Sequence, residues 1–232
     1  MRKILAEWRG RPACDTCNVR HLALFVDLIE KDFEHLPVPI DDLEFQAGAE
    51  IYRIDDPGQA VFTVRTGIVK LVQYLPGGSY RIVRLLRPGD TAGLEATVGA
   101  PYRHSAIVLQ PSQVCRIPAA TVEELRLRNP VLCKQLMQRW HRSVQHADDW
   151  LTFLSTGSAR ARMARLFVYL KGDSCESVCQ IFSRDDMAAI LGITTETASR
   201  QVAEFKRERV VAPLSTNRFL CDVAKLEEIA LN

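Results

Sequence analysis

No run of apolar residues approaches the ~18 that a membrane-spanning helix needs, although 47% of the chain is hydrophobic. The opening MRKILAEWRGRP also lacks the apolar core of a secretory signal. The expected location is therefore the cytoplasm, with no membrane partner. Neither sign of charge is in excess: 30 Lys and Arg face 28 Asp and Glu, for a net +2. A uniformly basic chain is excluded, and any nucleic-acid contact has to come from a local face. There is no Walker loop, no G-x-S-x-G elbow and no H-E-x-x-H helix, so an enzyme is not expected. Cysteine is sparse and odd in number, at seven. In a reducing compartment that count suits metal ligands, redox thiols or buried residues better than a disulfide framework.

What is present has a clear order. From about Glu50 to Pro118 the segments EIYRI, AVFTVRTG, IVKLVQYL, YRIVRLL, HSAIVLQ and QVCRIP alternate with DDPG, PGGS, RPGD and QPSQ. Alternating β-branched residues bounded by Gly and Pro predict antiparallel strands closing into a compact β-roll or barrel. After Pro118 the strands stop. AATVEELRLRNP predicts a short helix, and Pro130 opens a longer one running to about Leu154. Cys133, Met137, Trp140, Val144, Ala147, Leu151 and Leu154 recur along it at heptad spacing, as in the seam of a parallel dimer. A helix lying on its own β-domain is the plainer alternative. STGS at 155–158 reads as a hinge.

ARARMARLFVYLKG then predicts an amphipathic helix, and SRDDMAAILGITTETASRQVAEFKRERVV a helix-turn-helix. Ser183 and Asp186 resemble a capping box. Small Ala188 permits close helix approach, Gly192 the tight turn, and Thr194 caps a second helix whose Ala198, Val202 and Phe205 point inward. The N-terminal turns of such a helix enter the major groove. Glu196, Ser199 and Arg200 share one face and suit base edges: Arg pairs with guanine, Glu accepts from cytosine, and Ser bonds to several edges. Thr195, Thr197, Gln201, Lys206 and Arg207 suit phosphates. VVAPLSTNRFLCDV looks like the two strands of a wing. The fold class expected is α+β. The segments are a cysteine-containing stretch (1–29), a β-roll sensory domain (30–129), a dimerisation helix (130–155) and a winged helix-turn-helix domain (156–232).

This order of parts resembles the Crp/Fnr family of bacterial transcription regulators over nearly the whole chain. TTETASR is similar to the recognition helix of the Fnr-like branch, whose E-x-x-S-R falls on Glu196, Ser199 and Arg200. The resemblance implies a homodimer on double-stranded DNA at a palindrome close to TTGAT-N4-ATCAA, and recruitment of RNA polymerase. The cyclic-nucleotide branch of the family uses a Gly-Glu-Leu turn and an Arg-Ser pair. Here Gly93, Leu94 and Glu95 are followed by His104 and Ser105, with Arg103 one position early, so nucleotide binding is not expected.

The pair Cys14 and Cys17, in CDTC, by itself suits a metal, a cluster, a redox couple or nothing. Fnr resemblance makes them two ligands of an oxygen-labile [4Fe-4S] cluster, and Cys115, in V-C-x-I-P, the distant one. The family's third N-terminal cysteine stands after five or seven intervening residues, where this chain has Ala23 and Phe25. Asp15, His21, Asp148, Asp149 or Cys133 are the candidates to supply the missing bond. An intact cluster under low oxygen would favour the dimer, and its destruction by oxygen or nitric oxide would separate it. The alternatives are a small ligand or haem-bound gas sensed in the β-roll, with His141 or His146 as a haem ligand, or a thiol switch. Cys175 and Cys179 are read as exposed or half-buried thiols, and Cys221 as wing core.

Overall fold

The computed structural model describes residues 7–8, 38–171 and 177–231. Cys14, Asp15, Cys17, His21, Ala23, Phe25 and Cys175 lie outside the described residues. The chain divides into two compact units: residues up to Pro76 with Val83–Gln145, and Gly77–Ile82 with His146–Asn232.

The first unit is built on strands β1 (Glu7–Trp8), β2 (Asp41–Phe45), β3 (Glu50–Tyr52), β4 (Ala60–Val64), β5 (Ile68–Tyr74), β6 (Tyr80–Leu86), β7 (Thr91–Ala92), β8 (Ser105–Gln110) and β9 (Ser112–Pro118). They form two sheets, ordered β1-β2-β9-β4-β7 and β3-β8-β5-β6. Both sheets contribute to one apolar core, Phe45, Phe62, Val64 and Val114 from the first and Val69, Leu71, Leu86 and Val108 from the second. Burying such side chains is worth ~1.5–3 kcal/mol each. Turn geometry is fixed where a side chain cannot fit. At Gly67, φ is +80°, and a Cβ would fall 2.3 Å from the Pro111 carbonyl. Tyr102 locks the roll from inside. Its hydroxyl accepts from the Ala60 amide at 3.0 Å and donates to the Ala60 carbonyl at 2.8 Å, while its ring stacks on Tyr52 at 3.9 Å.

Helix α1 (Ala119–Arg128) follows β9 directly, and α2 (Pro130–Asp149) begins where the Asn129 side chain accepts from the Val131 amide at 3.0 Å. Within the first unit one face of α2 lies on the roll. Leu132 and Leu136 join its core, Arg139 donates to the Gly89 carbonyl at 3.2 Å, and Arg84 donates to the Ser143 carbonyl at 3.2 Å. The opposite face carries Met137, Trp140, Val144 and Ala147, all exposed. Packing on the roll follows the plainer of the two sequence readings, and the heptad residues are left on the face turned away from it. A π-helical turn, Trp150–Leu154, ends it. This corrects the seam at its end: Leu151 is 64% exposed, but Leu154 is 1% exposed and sits in the core of the second unit. The wider turn rotates the later residues off the heptad line.

The second unit contains α3 (Ala159–Lys171), β10 (Val178–Gln180), α4 (Arg184–Leu191), α5 (Thr195–Arg207), β11 (Val211–Ser215), β12 (Arg218–Cys221) and α6 (Val223–Leu231). Its strands run in the order β10-β12-β11, antiparallel. Phe167 is the pivot of its core, with Phe205 at 6.0 Å and Phe219 edge-on at 6.1 Å. Cys221 is core, as read. Cys179 is not a half-exposed thiol: on β10 it is fully buried, and its thiol hydrogen-bonds with that of Cys221, which holds Cys221 below the ordinary thiol range. Strands β1, β2, β7 and β10 and helix α6 were not anticipated from the sequence.

Candidate nucleic-acid interface and sensor site

The helix-turn-helix is assembled by the residues the sequence singles out. The Ser183 hydroxyl accepts from the Asp186 amide at 3.1 Å and donates to the Asp186 carboxylate at 2.8 Å. Helix α4 stops at Gly192, φ +64°, whose amide donates to the Ala188 carbonyl at 2.8 Å. Thr194 caps α5 by accepting from the Thr197 amide at 3.2 Å. Ala198, Val202 and Phe205 are buried, which fixes the rotation of α5. Arg160 of α3 forks onto Glu208 at the far end of α5, at 3.1 and 2.5 Å, and lies over the Phe205 ring.

That rotation leaves Glu196, Ser199 and Arg200 exposed on the N-terminal turns. Arg200 has no hydrogen bond or ion pair among the described residues. The Glu196 carboxyl is held below the ordinary carboxylate range by its own amide and the Thr194 hydroxyl, so it stays an acceptor. Thr195 and Thr197 are half-buried and already engaged. Thr195 donates to the Asp185 carboxylate at 2.7 Å, and Thr197 bonds with Thr194 at 3.1 Å. Gln201 needs a correction: it is 8% exposed and donates to Glu204 at 3.0 Å, so it belongs to the packed face and not to a phosphate contact. Lys206 is exposed with its ammonium 5.2 Å above the Phe219 ring. Sequence reasoning passed over Arg218, exposed beside the Asn217 turn (φ +61°) at the tip of the wing. The signal available for it was a cation directly after a turn asparagine.

The cysteine site is described on one side only. Cys115 is half-buried on β9, outside any disulfide. Its opposite neighbours are Asp42 on β2 and Thr63 on β4, and residues directly opposite in antiparallel strands present their side chains to one face. Asp42 Oδ2 accepts from Arg65 at 2.5 Å. Asp42 Oδ1 and the Thr63 hydroxyl oxygen are buried with no hydrogen-bond partner among the described residues. Neither oxygen makes a hydrogen bond to the Cys115 sulfur. Among the described residues no three His, Cys, Asp or Glu come together to hold a metal. Cys133 is half-buried on the first turn of α2 beside Arg126. Asp148 and Asp149 are exposed on the last turn of α2, as are His141 and His146 along it.

The nucleotide positions of the β-roll are otherwise occupied. Gly93 is left-handed, φ +71°, and starts a short 3-10 helix, Leu94–Val98. Ser105 is 1% exposed and its hydroxyl accepts from the Ile54 amide at 3.0 Å. Burial, with Arg84 and Arg103 nearby, pushes the His104 imidazole down and Glu95 offsets this in part.

A β-roll, a helix with an exposed apolar line and a capped winged helix-turn-helix are together the parts of a DNA-binding regulator. The family model described as the cyclic nucleotide-binding domain matches residues 42–129, and that described as the Crp-like helix-turn-helix domain matches residues 161–229. The chain belongs to the Crp/Fnr family and is a DNA-binding transcription regulator of that type. It is 25% identical over 224 residues to the fumarate and nitrate reduction regulatory protein of Vibrio cholerae, covering 94% of this chain and 90% of that one. It is 26% identical over 224 residues to the transcriptional activator protein anr of Pseudomonas aeruginosa, covering 94% and 92%. Among solved structures, FixK2 from Bradyrhizobium japonicum superposes with a TM-score of 0.75 at 22% identity, over 83% of this chain and 98% of that one. A CRP/FNR family regulator from Thermus thermophilus does so with a TM-score of 0.66 at 25% identity, over 82% and 98%. No helix among the described residues is long and apolar enough to cross a membrane.

Proposed function

We propose that the protein is an Fnr-like regulator of anaerobic or redox-dependent transcription. It binds a TTGAT-N4-ATCAA palindrome as a homodimer and acts on RNA polymerase from there. The observation that carries this reading is the exposure of Glu196, Ser199 and Arg200, together, on the leading turns of a helix whose other face is locked. Glu196 accepts from cytosine, Arg200 forks onto guanine, and Ser199 bonds between them. Lys206, Arg207 and Arg218 sit on phosphates and set the register. Met137, Trp140, Val144, Ala147 and Leu151 pair with the same residues of a second copy, which sets two readers on successive turns of the groove. The names of the Vibrio and Pseudomonas relatives support the anaerobic part of the reading.

Cys14, Cys17 and Cys115 are the proposed thiolate ligands of a [4Fe-4S] cluster. When bound, that group supplies an oxygen- and nitric-oxide-labile redox centre. Cys115 lies on the strand that runs straight into α1, and α1 runs through Asn129 into α2. A change in the bonding of its sulfur is thereby tied, through a short stretch of chain, to the helix that carries the seam. Binding of a labelled TTGAT-N4-ATCAA duplex, measured without oxygen and again after air, tests the reading. Tight anaerobic binding that weakens in air is expected. Equal binding in both states would remove the oxygen-sensing part, and no preference over a scrambled duplex would remove the operator.

A further inference from the structure

The wing sheet of the second unit holds a pair of cysteines that the proposed cluster does not use. We propose that Cys179 and Cys221 are a redox modification site, joined as a disulfide by hydrogen peroxide and reopened by a thiol reductant, with the reduced form the tighter DNA binder. In the sequence Cys179 reads with Cys175, four residues before it. Strand register gives it a different partner.

Cys179 stands opposite Phe219 in the β10/β12 register, and Cys221 lies two residues past Phe219. Side chains two apart on a strand share a face, so both thiols leave the same side of the sheet from neighbouring strands. That side is the core: Cys179 is 0% and Cys221 4% exposed. The Cys221 sulfur leans back along its strand to 3.7 Å from the Phe219 carbonyl, toward the level of Cys179. There the two thiols hydrogen-bond with each other. A buried cysteine packs as a small apolar side chain, and packing alone does not call for sulfur facing sulfur. The same contact holds Cys221 below the ordinary thiol range, which makes it the readier thiolate. Its sulfur attacks peroxide: an S–O bond forms, the O–O bond breaks, and the hydroxide released takes up the proton Cys221 has shed. The Cys179 sulfur then displaces the hydroxyl: the S–S bond forms, the S–O bond breaks, and the Cys179 proton leaves with that oxygen as a second water. Access comes through β10, three residues long and paired only with β12 at the edge of the sheet, where opening breaks few bonds. Diagonal neighbours in antiparallel strands stand ~7–8 Å apart, whereas a disulfide draws its Cβ atoms to ~3.5–4.5 Å. Closing the bond therefore pulls β10 and β12 against each other, and a bond formed under strain is readily reduced. Both strands lead to the DNA reader. Ile181 and Phe182 join β10 to the Ser183 cap of α4, and Phe219 of β12 lies under the Lys206 ammonium.

The test uses the full chain as Cys175→Ser, and in that background as Cys179→Ser and Cys221→Ser, so that the tryptic peptide 172–184 keeps at most one thiol. Each protein is treated with hydrogen peroxide, alkylated, digested without reductant and weighed. In the Cys175→Ser protein, peptides 172–184 and 219–225 should appear joined, lighter than their sum by two hydrogens. The joined species should be absent from both further variants and lost with dithiothreitol. Anisotropy on the proposed operator and on a scrambled duplex should show binding weakened about fivefold or more after peroxide and restored by dithiothreitol, and the restored part should vanish in Cys221→Ser. Peroxide damage to the proposed cluster is not reversed by dithiothreitol and is common to all three proteins, so the two effects separate. Circular dichroism checks the folding of the serine variants, and the bridge itself is read in the protein that carries neither. No joined peptides after peroxide overturns the inference, and so does a bridge that leaves duplex binding unchanged. Neither result touches the operator or the cluster reading.

Discussion

Arg200 and Gln201 are neighbours on α5 with opposite assignments, and substituting each separates reading from folding. Arg200→Ala should cost ~1–3 kcal/mol on the specific site and relax discrimination at one base pair. Anisotropy titrations against single-base variants of the duplex check this, and unchanged discrimination would show that Arg200 does not read a base. Gln201→Ala should leave the base preference intact and act on stability, because its side chain faces the core and bonds to Glu204. The buried status of Gln201 was legible: it lies three residues after Ala198 and four before Phe205, on the line they define. Its polar type outweighed its position in the reading. His104 gives a pH signature. Its folded pKa is lowered, chiefly by burial, so it takes up a proton less readily folded than unfolded. The stability it contributes is present above the ordinary histidine value of ~6.5 and lost as pH falls through the lower folded value. Between about 6.5 and that lower value the melting temperature should fall less steeply with pH for His104→Gln than for the wild type; parallel curves would remove the assignment. The placing of Asp42 beside Cys115 is announced by no local pattern. Its neighbour Cys115 is 73 residues away in the chain and beside it only through strand register.

At the scale of elements, α2 is one helix with two unlike faces, one on the roll and one exposed. Met137→Glu or Val144→Glu places a charge on the exposed line and should weaken self-association at least about tenfold, or ~1.4 kcal/mol, with the melting temperature of the monomer little changed. Sedimentation velocity distinguishes this from an intact dimer, which would misplace the seam. Leu154→Ala should do the reverse, costing ~2–5 kcal/mol of folding stability because its side chain is inside the second unit. The strands and helices with strong periodicity were legible from sequence: β3 to β6, β8, β9, and α1 to α5 all fall where alternation or heptads predicted them. The missed elements have physical reasons. DDLEF, the sequence of β2, begins with two aspartates, poor strand formers whose charges are met by Arg65, just past the end of β4, and by Arg116 on β9. Strand β10 exists by pairing with β12, a non-local contact. The π-helical turn leaves no mark that a count of heptads would detect.

Over the whole molecule, the proposal joins a sensing face on the β-roll to a reading face on the winged helix. Iron and acid-labile sulfide measured on anaerobic protein, with the visible spectrum followed into air, is the broadest check. About four of each per chain and a broad band that bleaches support the cluster. A sharp Soret band would assign haem instead, and a colourless protein would assign the signal to a ligand or a thiol. The turn at Trp150–Leu154 has a further consequence. A π-helical turn amounts to one residue inserted into an α-helix, a rotation of about 100°. Side chains on either side of it therefore answer to different selective pressures: in the proposed dimer the exposed line from Met137 to Ala147 would be judged by a second molecule, and Trp150 and Leu154 are judged by this chain's own interior. A lineage descended from this chain could change its choice of pairing partner by substitutions in the first group while the architecture of its DNA reader drifted on its own schedule.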